Sequence, residues 1–186
     1  MILPKHAWPK TKIYSPADAV RRRILFLDFD GVLNNKRWFA SQLRAGRTCT
    51  DFDPRNMGHL KSIVQRLPDL QVVVSSSWRH GRTVAELGQL LARAVPPEQV
   101  LDKIPKLLSQ MRGEEIKQWL IEWGLRELIL PCNIRFAALD DDIFDMNAVR
   151  DNFFRTDARY GLTRKIADAV VRHLRRAHDG AETLHV

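Results

Sequence analysis

Ten residues, Ile24-Leu25-Phe26-Leu27-Asp28-Phe29-Asp30-Gly31-Val32-Leu33, constrain this chain more than any other stretch. The first four are apolar without polar alternation, the pattern of a central parallel strand covered on both faces. Side chains at i and i+2 of a strand share a face, so Asp28 and Asp30 emerge together while Phe29 points back towards the core. Gly31 lets the chain turn away. Open α/β sheets hold their ligands beyond the carboxyl ends of such strands. Two carboxylates delivered to that edge suit phosphoryl transfer, with a hard divalent cation to offset their repulsion of a phosphate.

The remainder predicts alternating strands and helices. Asn34 to Phe52 mixes polar and aromatic residues without a sustained period and reads as a loop or small flap. Asp53-Pro54 marks a helix start, with Asp53 as N-cap and Pro54 at the first helical position. Leu60, Ile63, Val64 and Leu67 form its buried stripe, and a strand around Val72 follows Pro68-Asp69. Thr83 opens a second helix bearing Leu87, Leu90 and Leu91, and Glu86 completes a capping box. Val100 to Ile104 reads as a short strand. Arg112 to Trp123 reads as a helix with Ile116, Trp119, Leu120 and Trp123 on one face and Gly124 as its stop. Ile134 to Leu139 and Asn152 to Thr156 are the last strands, and Thr163 opens a final helix with Ile166, Val170, Val171 and Leu174 on one face. The sum is an α/β fold, a doubly wound parallel sheet whose right-handed crossovers gather alternate loops at one edge.

Three segments carry a family resemblance. They are Asp28-Phe29-Asp30-Gly31 after its strand, Val72-Val73-Val74-Ser75-Ser76-Ser77-Trp78-Arg79, and Phe136-Ala137-Ala138-Leu139-Asp140-Asp141-Asp142. In that order they resemble the first, second and fourth motifs of the haloacid dehalogenase (HAD) superfamily. The wording is most similar to the HAD domains of Swiss Army Knife RNA repair-like proteins, over roughly Ile24 to Leu174. The resemblance implies a Rossmann-like HAD core with minimal or no cap, because no insertion is long enough for a large one. It also implies a domain over 24–178, between an N-terminal extension, 1–23, and a C-terminal tail, 179–186.

The same resemblance implies a Mg2+-dependent phosphatase in which Asp28 is the nucleophile, forming an aspartyl-phosphate, and Asp30 is the partner acid and base. The Mg2+ ligands would be Asp28, the backbone carbonyl of Asp30 and one acid of the Asp140-Asp141-Asp142 group. Asp141 is favoured because it falls on an acid in both alignments of the fourth motif, paired with Asp145 in one and with Asp140 in the other. Asp142 reads as a charge at a helix N-terminus. Ser75 would hydrogen-bond a phosphoryl oxygen, with Ser76 offering a backbone N–H or a second hydroxyl. Where the family's third motif has a lysine, this sequence offers Arg112 at a helix start, with Lys106 and Lys117 as competitors. The run Arg112-Gly113-Glu114-Glu115 reads equally well as surface.

A net charge of +8 attracts polyanions through counterion release and steering. Scattered arginines that only solubilise the chain give the same sum. The clusters are Arg21-Arg22-Arg23, then Arg37, Arg44 and Arg47, then Arg172, Arg175 and Arg176. The expected partner is a phosphomonoester, a phosphorylated RNA or DNA end or a nucleotide, against the alternatives of a small phosphorylated metabolite or non-catalytic RNA binding. Trp78 and Arg79 read either as a base-stacking and phosphate-gripping rim or as packing and a surface pair. Trp119 and Trp123 read as packing, and His80 as a surface residue. Cys49 and Cys132 lie far apart without metal or redox spacing, which predicts reduced thiols and a cytoplasmic location. No apolar run approaches the ~18 residues that span a bilayer. Met1 to Pro9 shows no signal-peptide pattern. The sequence leaves oligomeric state open.

Overall fold

In the computed structural model the described residues are 22–48, 51–109, 111–130 and 133–176. Outside them lie Arg21, Cys49, Cys132, the expected tail 179–186 and all of the expected extension except Arg22 and Arg23. The elements run β1 (Arg22–Leu27), α1 (Lys36–Arg44), α2 (Pro54–Arg66), β2 (Leu70–Val74), α3 (Val84–Leu91), β3 (Val100–Lys103), α4 (Arg112–Glu127), β4 (Ile134–Asp140), β5 (Phe153–Arg155) and α5 (Arg164–Arg175). A 3-10 turn over Phe144–Asn152 joins β4 to β5.

The sheet is parallel throughout, in the order β3-β2-β1-β4-β5. β1 therefore sits in the middle, and Ile24 to Leu27 are fully buried, as an unalternated apolar run requires. Leu25 and Leu27 pack in one cluster with Leu60 of α2, Leu87 of α3 and Val170 of α5. Ile24 and Phe26 pack on the other face with Ile116, Trp119 and Trp123 of α4. Phe26 meets Trp119 edge-on at 5.4 Å between ring centroids, and Trp119 stacks on Trp123 at 5.2 Å. Each such side chain withdrawn from water contributes about 1.5–3 kcal/mol.

The expected caps form. Asp53 accepts from the Arg55 N–H at 2.9 Å ahead of Pro54. Thr83 and Glu86 cap each other's backbone N–H groups reciprocally. Two segments differ from expectation. The stretch after Leu33 contains a nine-residue helix, α1, rather than only a loop. Its apolar side chains Phe39 and Leu43 are exposed, so the helix has no core stripe, and its nine residues are too few to sustain a period against the flanking loop. Asn35 supplies its N-cap, accepting from the Trp38 N–H at 2.8 Å. Helix α4 runs past Gly124 to Glu127 and ends on Leu128, which takes the left-handed conformation at φ 54°. Gly124 instead allows close packing, since a Cβ there would lie 3.2 Å from the Ile129 carbonyl.

One junction ties the loop after β1 to distant parts of the chain. The Val32 carbonyl accepts from the Asn56 side chain at 3.0 Å and from the Leu162 N–H at 2.8 Å. A Cβ on Gly161 would stand 2.1 Å from Asn56 Nδ2, so only glycine fits there.

Candidate active site

The carboxyl ends of β1 and β4 carry Asp28 and Asp140 to one edge of the sheet. The Asp28 N–H donates to the Leu139 carbonyl at 3.0 Å, which carries the ladder one residue beyond β1. Asp28 and Asp140 are buried, Asp141 is half-buried, and these three carboxylates bring oxygens within 4.8 Å of one another. Burial pushes the Asp28 carboxyl up to about 6 against the opposing pull of Arg112, and burial with the neighbouring Asp28 charge pushes Asp140 up to about 7. Burial raises Asp141 as well.

Gly31 makes this convergence possible. Its φ is +73°, and a Cβ there would lie 2.2 Å from the Asp141 carboxyl carbon. The turn after Asp30 needs glycine on both counts. Thr156, next to β5, donates through Oγ1 to the Gly31 carbonyl at 2.7 Å and through its N–H to the Asp140 carbonyl at 2.9 Å. Neither bond is signalled in the sequence, because the partners lie far apart along the chain.

Asp30 stands at the exposed rim of the same edge. The Trp78 indole N–H donates to its carboxylate at 2.8 Å, and the Asn34 amide reaches its other oxygen at 3.4 Å. Trp78 packs against Phe29 and Phe52, at 5.7 and 5.5 Å between centroids. The indole thus packs and hydrogen-bonds Asp30 at once. Asp142 is exposed and accepts from the Phe144 N–H at 2.9 Å. Asp145 is not in the carboxylate group among the described residues.

Ser75 and Ser76 follow β2 and are fully buried. Among the described residues Ser75 Oγ has no hydrogen-bond partner, while the Ser76 hydroxyl bonds Asp28 and caps the 3-10 turn at Ser77. Arg79 is buried rather than at the rim or on the surface. It pairs with Glu115 at 2.7 Å and donates to the carbonyls of Ser75 and Ser76 at 3.1 and 3.0 Å.

Arg112, at the first position of α4, is half-buried, and its charge acts on both Asp28 and Asp140. Its Nη1 is buried without a hydrogen-bond partner among the described residues. Lys106 is exposed in the loop before α4, and Lys117 lies more than a turn further along the helix. Gly113 lets α4 approach the 3-10 turn, where a Cβ would stand 2.9 Å from the Asp145 carbonyl. The Arg112 to Glu115 run is therefore anchored inward through Arg112 and Glu115. The sequence holds a signal for this: Arg112, the Glu115-Ile116 pair, Trp119 and Trp123 recur every three or four positions, on one helical stripe.

A profile of the family described as the HAD domain in Swiss Army Knife RNA repair proteins matches residues 24–167. The chain belongs to this family. The HAD domain of effector protein Lem4 from Legionella pneumophila is structurally similar, at 13% identity and a TM-score of 0.51, covering 83% of this chain and 96% of that one. An inactive mutant of the same Lem4 domain aligns at 12% identity and a TM-score of 0.52, covering 83% and 95%. At these identities the likeness is one of fold. No curated protein matches the chain. Membership of an HAD family implies hydrolase or phosphatase-like activity.

HAD domains generally use Mg2+, and the residues here fit such an ion. The donors are carboxylate oxygens, the ligand class of a hard cation. Three of them converge although two are buried and raised by that burial, Asp140 also by the Asp28 charge, a strain that a divalent cation relieves. No helix among the described residues is long and apolar enough to cross a membrane.

Proposed function

We propose that this HAD domain is a Mg2+-dependent phosphatase working through an aspartyl-phosphate on Asp28, with phosphorylated nucleic-acid ends or nucleotides as substrates. The observation that carries the reading is the convergence of the Asp28, Asp140 and Asp141 carboxylates beside an Arg112 guanidinium nitrogen that has no hydrogen-bond partner among the described residues. Asp28, Asp140, Asp141 and the Asp30 carbonyl would hold the ion. Bound Mg2+ supplies positive charge that keeps the carboxylates ionised and neutralises a phosphoryl group.

In the first step an Asp28 carboxylate oxygen bonds to phosphorus and the ester P–O bond breaks. Asp30 donates its proton to the leaving oxygen. Water then attacks the aspartyl-phosphate, Asp30 takes the water's proton, and the P–O bond to Asp28 breaks to release phosphate and the free carboxylate. Trp78 and Asn34 aim the Asp30 carboxyl for both transfers. Arg112 would donate to the phosphoryl oxygens through its forked nitrogens, in the family's lysine role. Ser75 Oγ would be a further donor at the same edge, with Ser76 offering its backbone N–H while its hydroxyl holds Asp28.

Phosphate release by wild type and Asp28→Asn, with Mg2+ and a mixed panel of phosphomonoesters, tests the reading. Near-complete loss in the variant is expected, because an amide is a poor nucleophile. Equal rates would remove Asp28 from the mechanism. Efficient turnover of sugar phosphates with phosphorylated oligonucleotides ignored would remove the nucleic-acid substrate.

A further inference from the structure

Beside the carboxylates runs an arc of four cations, two of them over one exposed aromatic ring. The chain leaving β5 starts it, where Arg155 Nε donates to the Asp141 carbonyl at 3.3 Å. It then pairs with the start of α1, since the Lys36 N–H donates to the Ala158 carbonyl at 2.9 Å and the Arg37 N–H to the Arg159 carbonyl at 3.4 Å. Arg37 is three residues beyond Asn34, the partner of Asp30. Tyr160 is 43% exposed, and the guanidiniums of Arg37 and Arg159 lie over its ring at 5.4 and 5.5 Å from the centroid. Among the described residues, none of Lys36, Arg37, Arg155 and Arg159 forms an ion pair. All four are exposed.

We infer that Arg37, Tyr160 and Arg159, flanked by Lys36 and Arg155, are a docking site for a single-stranded nucleic-acid segment adjoining the phosphate at the carboxylate cluster. The chemistry is specific to that ligand class. Cations that form no ion pair among the described residues keep their attraction for phosphodiester charge, Lys36 sharing its own with the Asp141 carboxylate it acts on. Tyr160 and the two guanidiniums over it offer stacking planes at the surface, since an unpaired base stacks on an aromatic ring or on an Arg guanidinium plane. An acidic peptide would use the cations but not the stacking planes. The arc begins on the backbone of Asp141, so a strand lying on it reaches the site without crossing the molecule. The inference rests on the hydrolase reading only for what happens at the end of that strand.

The test is fluorescence anisotropy of a labelled single-stranded RNA against the full chain, over a salt series. Arg37→Ala/Arg159→Ala is expected to weaken binding about tenfold and to reduce the log–log salt slope by about 1.4, as two lost phosphate contacts require for a single strand. Tyr160→Ala is expected to weaken binding about tenfold with the slope unchanged, while Tyr160→Phe binds as wild type because stacking needs the ring alone. Circular dichroism melts of each variant identify any loss due to unfolding, and Arg37→Lys/Arg159→Lys, which keeps the charge, is expected to keep the slope. Unchanged RNA binding in the Ala variants overturns the inference, and so does tighter binding of a phosphopeptide than of RNA through the same arginines. Phosphate release from the RNA carrying a terminal phosphate is measured in parallel. Binding through the arc with no release sinks the hydrolase reading alone, and release with binding indifferent to the arc sinks the docking site alone.

Discussion

The Arg79 guanidinium donates to the Glu115 carboxylate across 2.7 Å, with the two side chains only 5% and 3% exposed. Arg79 also grips the carbonyls of Ser75, Ser76 and Ile104, and Glu115 accepts from the Leu107 N–H at 3.1 Å. One ion pair thus joins the loop after β2, the loop after β3 and the first turn of α4. Removing either partner leaves a buried charge unmatched, which costs about 3–5 kcal/mol. Glu115→Ala is therefore expected to lower the urea midpoint sharply. Arg79→Met/Glu115→Leu, which removes both charges, should recover much of that loss while phosphate release stays impaired.

Gly31 faces a steric and a conformational limit together. Gly31→Ala forces a Cβ into the Asp141 carboxylate and holds an L-residue at φ +73°, which by itself costs about 1–2 kcal/mol. The melting temperature should fall by at least about 3 °C. Phosphate release should fall much further than stability does, because Asp141 must move. A variant with wild-type activity would show that the Asp141 position is not needed.

Arg112 pulls the Asp28 and Asp140 carboxyls down against burial. Arg112→Ala should reduce kcat/KM about 100-fold, the usual loss for one donor to developing charge. It should also move the acid limb of the pH profile to higher pH, since both carboxyls titrate later without the cation. Arg112→Lys should restore the position of that limb more fully than it restores kcat/KM. Profiles measured on one phosphomonoester decide it.

Stability should depend on pH in an unusual direction when the protein is held in chelator. Asp28 and Asp140 titrate near about 6 and about 7 in the fold, against an ordinary value of 3.8. The folded chain therefore binds more protons than the unfolded one between those values, so the stability contributed by these groups is greatest below pH 3.8, falls as pH rises from there, and levels off once pH has passed 6 and 7. Mg2+ should raise the melting temperature, and more so above pH 7, where the carboxylates are already ionised. Asp28→Asn should flatten both dependences. Thermal melts across pH, with and without Mg2+, provide the measurement.

Much of the architecture was legible because burial writes itself into spacing. Ile24 to Leu27 read as the central strand, the stripe Leu60, Ile63, Val64 and Leu67 read as α2, and Thr83 with Glu86 read as a cap. α1 escaped because its nine residues fall short of the window over which a helical period can be read, and the C-terminus of α4 escaped because Gly124 serves close packing rather than termination. At the site, Asp28 and the acids after β4 could be placed at one edge from strand alternation and topology. The Arg79–Glu115 pair could not, since a buried ion pair between residues 36 positions apart looks like two surface charges until the fold joins them. The same holds for Arg155 and Arg159, which no sequence cluster singled out and which reach the site by way of the bonds from Thr156, Lys36 and Arg37.

The knot at the Val32 carbonyl has a consequence for how such a protein can diverge. Asn56, Leu162 and the glycine beside it clamp the turn that presents Asp30, so that turn has no slack with which to widen or narrow the entrance. New preferences in related chains would then arise by exchanging the outward-facing residues of α1 and of the 155–160 strap, while the clamped turn is inherited intact.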